Sequence, residues 1–203
     1  GGIGLNFQRM RAGVSGRDLI AAMVAAYEVF GYVSSGLSKR PGWDQATMAA
    51  IGAAAGAGKL MGLDQHAIAN AIAITVANNV TLFVTRTGEL SMWKGCATAG
   101  SMRAGINAAQ LAAAGMTGPE EAFLGRCGLW DQAVGKDIEI PLPVFPPEVP
   151  YQVATTTYKQ FPSQVHTQGP ISLALELRPQ LAGEEIAEVR VFTFAGAVRQ
   201  VGS

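Results

Sequence analysis

Lys94 has the best claim to chemistry in this sequence. It lies in Ser91-Met92-Trp93-Lys94-Gly95, where a polar loop holding Thr85, Arg86, Thr87 and Ser91 runs into a stretch of small apolar residues. A cation in that setting has little local competition and can meet a carboxylate. The donors around it, together with the free N–H groups of a helix start, also favour anions. Lys94 is thus a candidate catalytic residue, and Arg86 and Ser91 are candidate substrate contacts. A lysine snorkelling from a helix end would leave the same trace.

Lys159 is the second candidate, in Tyr158-Lys159-Gln160-Phe161-Pro162 beside Thr155, Thr156 and Thr157; its rival reading is a solvated loop lysine. His166, in Gln164-Val165-His166-Thr167-Gln168, titrates near neutrality and suits proton transfer, against an inert loop histidine. Asp44, in Trp43-Asp44-Gln45, reads as a general base or as the N-cap of the next helix. His66, just after Asp64, reads as a surface or capping residue. Cys96 has no histidine near it in sequence and reads as a buried thiol rather than a nucleophile. Cys96 and Cys127 make neither a disulfide framework nor a metal site. The glycine runs match neither a phosphate loop nor a dinucleotide fingerprint.

The elements that must position these residues are mostly helical. Ser15 caps a helix whose apolar positions Leu19, Ile20, Met23, Val24, Tyr27 and Phe30 recur at helical spacing. A polar loop is expected from Ser34 to Gly42. A second helix runs through Met48, Ile51, Ala55 and Leu60 to Gly62, and Asp64 caps a third through Ile68, Ile72 and Val76. Asn78 and Asn79 open a loop; the fourth helix spans about Trp93 to Ala114 and stops at Gly115. Thr117-Gly118-Pro119-Glu120 reads as a capping box with an early proline. Alanine and glycine crowd two of these helices, from Gly52 to Gly58 and from Ala97 to Ala109. Glycine inside a helix costs roughly 1 kcal/mol against alanine, and close backbone approach between helices is the expected compensation.

After Lys136 the pattern changes. Pro141, Pro143, Pro146, Pro147 and Pro150 mark an extended linker. Beyond it, Ile171 to Leu181 reads as an amphipathic helix and Glu188 to Phe194 as a strand. The expected organisation is a mainly α chain. A compact Ala/Gly-rich helical domain occupies residues 1–140 and a Pro-rich linker 141–150. Part of a smaller α+β domain follows from 151 to 203.

A length of 203 residues fits one large domain or two small ones. Fifteen basic residues balance fifteen acidic ones with no basic run, which argues against nucleic-acid binding. Hydrophobic residues are 49% and charged residues 15%, so the chain should fold and tend to associate. No apolar run reads as a membrane span and no signal peptide is visible. The sparse cysteines suit a reducing cytoplasm. A Gly-Gly start and a stop at Gly202-Ser203 suggest a fragment or a processed chain.

Ser91-Met92-Trp93-Lys94-Gly95 and the stretch through Thr117-Gly118-Pro119 resemble the MmgE/PrpD family. So do Arg17-Asp18-Leu19-Ile20, Ala26-Tyr27-Glu28-Val29, Gly42-Trp43-Asp44 and Gly58-Lys59-Leu60-Met61-Gly62-Leu63. Lys159-Gln160-Phe161-Pro162 and His166-Thr167-Gln168 resemble the start of that family's second domain. The resemblance is closest to the 2-methylcitrate dehydratase branch, because Trp43-Asp44 stands where the cis-aconitate decarboxylase branch places a histidine.

The resemblance implies a helical domain and a smaller α+β lid with the active site between them, a homodimer, and no metal or other cofactor. It implies a small di- or tricarboxylate substrate and dehydration, decarboxylation or epimerisation, with a hydro-lyase reaction for the 2-methylcitrate dehydratase branch. Lys94 and Lys159 match the family's two active-site lysines, Asp44 stands at an acid position, and His166 and Gln168 fall in a substrate-facing loop. Further family Asp, Thr and His residues belong upstream of this chain. A fragment whose own activity is in question is therefore expected. A non-catalytic carboxylate-binding or dimerisation module, a cis-aconitate decarboxylase-like activity and a purely structural helical piece stay open beside the dehydratase.

Overall fold

Ser15 and Asp18 start the first helix by capping each other. The Asp18 N–H donates to Ser15 Oγ at 3.2 Å, and the Ser15 N–H and hydroxyl donate to the Asp18 carboxylate at 3.1 and 2.5 Å. The structure, a computed structural model, describes residues 13–37, 42–134 and 150–201. Helix α1 spans Gly16–Leu37. The loop expected from Ser34 begins later, because Val33 and Leu37 are both buried in the core and draw a further turn into the helix. Lys39, Arg40 and Pro41 lie outside the described residues.

Three more long helices fall where the sequence puts them. Helix α2 spans Gln45–Leu60 with Asp44 as its N-cap, and α3 spans Gln65–Asn78 with Asp64 accepting from the Ala67 N–H at 2.8 Å. Helix α4 spans Trp93–Ala113. Gly62 and Gly115 close α2 and α4 at φ +73° and +90°, a backbone region that side chains with a Cβ rarely adopt.

The packing of α2 against α1 and α4 explains the alanine and glycine runs. A Cβ on Gly52 would sit 2.6 Å from the Ala26 carbonyl oxygen of α1, and one on Gly105 would overlap the Ala50 carbonyl oxygen. The helices therefore meet backbone to backbone. Ala54, Ala57, Ala71, Ala109 and Ala112 fill one side of this contact. Val33, Leu37, Met48, Ile51, Val76, Leu129 and Trp130 make the larger core beside it.

By length and composition α1 could also cross a membrane. Core helices of soluble proteins and signal sequences pass the same test; 11% of the apolar window of α1 is buried, and its backbone meets α2 at Ala26.

The capping box expected at Thr117 to Glu120 does not start a helix. Residues 116–128 run as coil, turns and bends. Gly118 is pinned on α3: its N–H donates to Asn70 Oδ1 at 2.9 Å, and a Cβ there would lie 2.7 Å from the Ala73 methyl. That anchoring outweighs the local capping signal. A short helix α5, Leu129–Val134, follows instead, and buried Trp130 meets Phe123 with ring centroids 5.5 Å apart.

The chain divides into two compact units, Gly1–Thr155 and Thr156–Ser203. Most of the proline linker lies outside the described residues. Helix α6, Gln152–Thr155, belongs to the first unit, where the Gln152 N–H donates to Glu28 on α1 at 2.5 Å. The second unit holds a 3₁₀ turn Val165–Thr167, helix α7 Gln168–Leu177 and helix α8 Ala195–Val201. Helix α7 stops before the expected Leu181, and turns run on to Gly183 at φ +91°. The segment expected as a strand, Glu188 to Phe194, joins no ladder among the described residues, although its alternation is that of a strand. A strand needs a neighbour to take its N–H and C=O groups. Here Val189, Val191, Phe192 and Phe194 are exposed instead.

Candidate functional site

Asp44 is a buried polar residue of the first unit with every side-chain oxygen bonded. Its side chain is 0% exposed. As the N-cap of α2 its Oδ1 accepts from the Ala46 N–H at 2.8 Å. The same oxygen accepts from Arg86 Nη2 at 3.1 Å, and Oδ2 accepts from Arg86 Nε. A two-point guanidinium–carboxylate pair of this kind fixes orientation as well as charge. Asp44 is thus the N-cap of α2, as one of its two readings had it, and it is also the partner of Arg86, a role the sequence did not offer.

Arg86 ends a 3₁₀ turn, Phe83–Arg86, that is held in place upstream. The Asp44 N–H donates to the Thr81 carbonyl at 2.9 Å, and the Phe83 N–H to the Gly42 carbonyl at 2.8 Å. Thr47 Oγ1 accepts from the Thr81 N–H at 2.8 Å and donates to the Thr81 carbonyl at 3.2 Å. The Thr81 hydroxyl pairs with the Ser101 hydroxyl of α4 at 2.7 Å. Thr47 and Ser101 are both buried, so this strap lies in the body of the unit.

The strap also reveals the direction of the helices. Thr47 near the start of α2 is linked through Thr81 to Ser101 of α4, and Gly105, one turn further along α4, meets Ala50 and Ala54 further along α2. Helices α2 and α4 therefore run parallel. The Asp44–Arg86 pair stands at the end of the unit from which α4 starts, the end that carries Lys94. Lys94 is half-buried in the opening turn of α4, and its N–H donates to the Ser91 carbonyl at 3.2 Å. Ser91 is exposed. Arg86 thus has its counter-charge buried behind it, and the opening turn of α4 that holds Lys94 lies toward the same end of the unit.

In the second unit the candidates share one loop. The Gln168 side chain is spent on backbone: Oε1 accepts from the Phe161 N–H at 2.9 Å, and Nε2 donates to the Phe161 carbonyl at 3.0 Å and more weakly to those of Ser163 and Gln164. The His166 N–H donates to Gln164 Oε1, and the His166 ring meets Phe194 edge-on with centroids 5.0 Å apart. Lys159 is exposed, before this clamp.

Cys96 is exposed, which corrects the expectation of a buried thiol. It lies on a face of α4 with Gly95, Ala99 and Gly100, all exposed. His66 is exposed, in keeping with a surface residue. Among the described residues no cluster of His, Cys, Asp and Glu could hold a metal ion.

Sequence reasoning did not single out Thr47, Thr81 or Ser101. Their hydroxyls are far apart in sequence and have no spacing signature; only the fold joins them. The Asp44–Arg86 pair was invisible for the same reason, since its partners are 42 residues apart.

The model of the MmgE/PrpD N-terminal domain matches residues 8–141, a span that includes Asp44, Arg86, Ser91 and Lys94. That match covers well over half of the chain and falls on the helical unit whose packing and polar strap are described above, and so the chain belongs to the MmgE/PrpD family.

Proposed function

We propose that this chain carries part of the site of a hydro-lyase of the 2-methylcitrate dehydratase type, acting on a small hydroxy-tricarboxylate. The MmgE/PrpD family includes hydro-lyases. The observation that carries the finer reading is the cationic end of the first unit, where Arg86 is fixed on a buried carboxylate at the end from which the helix of Lys94 starts. Dehydration removes a proton from a carbon beside a carboxylate and the hydroxyl from the neighbouring carbon, which leaves as water once an acid protonates it; the C–H electron pair becomes the carbon–carbon double bond. Negative charge grows on that carboxylate during proton loss, and fixed cations stabilise it. Lys94 in the first unit and Lys159 in the second are proposed as the charge-neutralising and proton-transferring groups, with Arg86, Ser91 and His166 as substrate contacts. The reading needs no metal or cofactor and places the protein in the cytoplasm.

Incubation with 2-methylcitrate, followed by the ultraviolet absorbance of the unsaturated product, tests this proposal. Lys94→Ala and Lys159→Ala should each lower kcat by about 10²-fold or more. Rates that survive both substitutions would refute the site. Release of carbon dioxide in place of water would move the chain to the decarboxylase reading.

An observation also favours self-association. Leu82, Val84, Leu90, Met92 and Trp93 are exposed around the start of α4, Met92 at 95%. Large exposed apolar groups in one region mark interaction surfaces. A homodimer through this region is proposed, and sedimentation of the Met92→Asp variant, expected to be monomeric, tests it. A module that binds citrate-like ligands without turnover is the alternative that calorimetry would reveal.

A further inference from the structure

We propose that Asp44 transfers no proton and is instead a positioning residue: it holds Arg86, and the outer edge of the Arg86 guanidinium is the carboxylate contact of the first unit. The inference rests on reading this end of the unit as a carboxylate site, and it replaces a proton-transfer role for Asp44 with an electrostatic one.

Three observations carry it. Asp44 has no free edge. Oδ1 takes two donors and Oδ2 takes Arg86 Nε, so a substrate C–H would have to displace the guanidinium to reach the carboxylate. A general base needs direct contact or one bridging water, and a side chain that is 0% exposed offers neither.

Arg86, by contrast, is only half committed. Nε and Nη2 face Asp44, Nη1 has no acceptor among the described residues, and the side chain stays 24% exposed. Nη1 is therefore not a buried, unpartnered donor.

The geometry behind the pair is stiff as well. The turn carrying Arg86 is tied through Thr81 and Phe83 to Gly42, Asp44, Thr47 and Ser101. A guanidinium held on one edge and open on the other is pre-organised for a planar carboxylate. A buried ion pair adds little stability over an apolar pair of similar size, so packing alone does not call for it.

The test uses Asp44→Asn, Arg86→Ala and the double variant Arg86→Ala/Asp44→Asn, with circular dichroism to confirm folding. The double variant leaves no buried charge unpaired and guards against a simple loss of fold. Asp44→Asn should raise KM about 10- to 100-fold, the cost of weakening one charge-assisted contact. It should leave both limbs of the pH–rate profile in place. Loss of a limb with kcat down about 10²-fold or more would make Asp44 an acid or base and overturn the proposal. An unchanged KM in Arg86→Ala would make the pair purely structural and overturn it too.

A second arm is independent of turnover. Millimolar guanidinium should raise the Tm of Arg86→Ala, where it can occupy the site beside Asp44, and not that of the double variant. Equal behaviour of the two variants would contradict the pairing. Where this chain, which carries part of the site, turns over no hydroxy-tricarboxylate, the Kd for citrate decides. A weakening of about tenfold or more in Arg86→Ala supports the carboxylate contact, and an unchanged Kd removes it.

Discussion

Asp44 and Lys159 are both candidates by residue type, yet the two units hold them very differently. In the first unit Asp44, Arg86, Thr47, Thr81 and Ser101 each have defined partners, and most of them are buried. In the second unit Lys159 is exposed, Gln168 is occupied by its own loop, and helix α7 has no buried residue. The cause is packing. Alanine and glycine let α1, α2 and α4 meet backbone to backbone, which leaves rigid walls from which a polar strap can hang. Helix α7 has Leu173, Leu175 and Leu177 exposed, so among the described residues nothing comparable braces its loop. Pre-organisation of a charged site follows from the density of the layer behind it.

The comparison can be broken or sharpened at several points. The largest effect is expected for Arg86→Ala, which strands the buried Asp44 charge. The first unit should lose about 3–5 kcal/mol in urea unfolding. A loss within error would show that the strap, and not the ion pair, holds the loop.

Gly105→Ala comes next, because its methyl would overlap the Ala50 backbone. It should cost about 1–3 kcal/mol, whereas Gly169→Ala in α7, where a Cβ meets nothing within 4 Å, should cost nothing. Equal losses at the two sites would contradict the packing contrast.

A smaller effect is expected for Gln168→Ala. It should lower protection of the Phe161 amide in hydrogen exchange by about 1 kcal/mol and leave the amides of α2 and α4 unchanged. Loosening that spreads into α2 would mean that the clamp is not local.

The smallest effect concerns pH. The Ser15 hydroxyl, followed by the Ser15 N–H, holds the Asp18 carboxyl below its ordinary value of 3.8. The folded value lies below the unfolded one, so this contribution is present above the ordinary value and is lost as pH falls through the folded value. Ser15→Ala should move the Asp18 titration in the folded protein upward, as followed by carboxyl NMR shifts. An unmoved titration would assign the effect to the other groups near Asp18.

Much of the helical unit was legible in the sequence because its signals are local. Ser15, Asp44 and Asp64 announce helix starts, Gly62 and Gly115 announce ends, and the alanine and glycine runs announce close packing. The signal at Thr117 to Glu120 failed because Gly118 is claimed by α3, a contact that no local pattern contains. The extended run at Glu188 to Phe194 shows the converse: its alternation is that of a strand, but pairing depends on a neighbour. At the site, Lys94 and Arg86 stood out by type, and Asp44 was visible as a cap. That Asp44 and Arg86 are one unit could not be read, since 42 residues separate them and only the strap through Thr81 brings them together.

The most direct test of the central claim is an NMR titration of the protein with citrate, following the Arg86 side chain and the backbone amides of Trp93, Lys94 and Gly95. Saturable shifts at all four positions, abolished by Lys94→Ala or Arg86→Ala, are the predicted result. Saturable citrate binding that leaves these positions unmoved, or no binding at all, would contradict the assignment of a carboxylate site to this end of the helical unit.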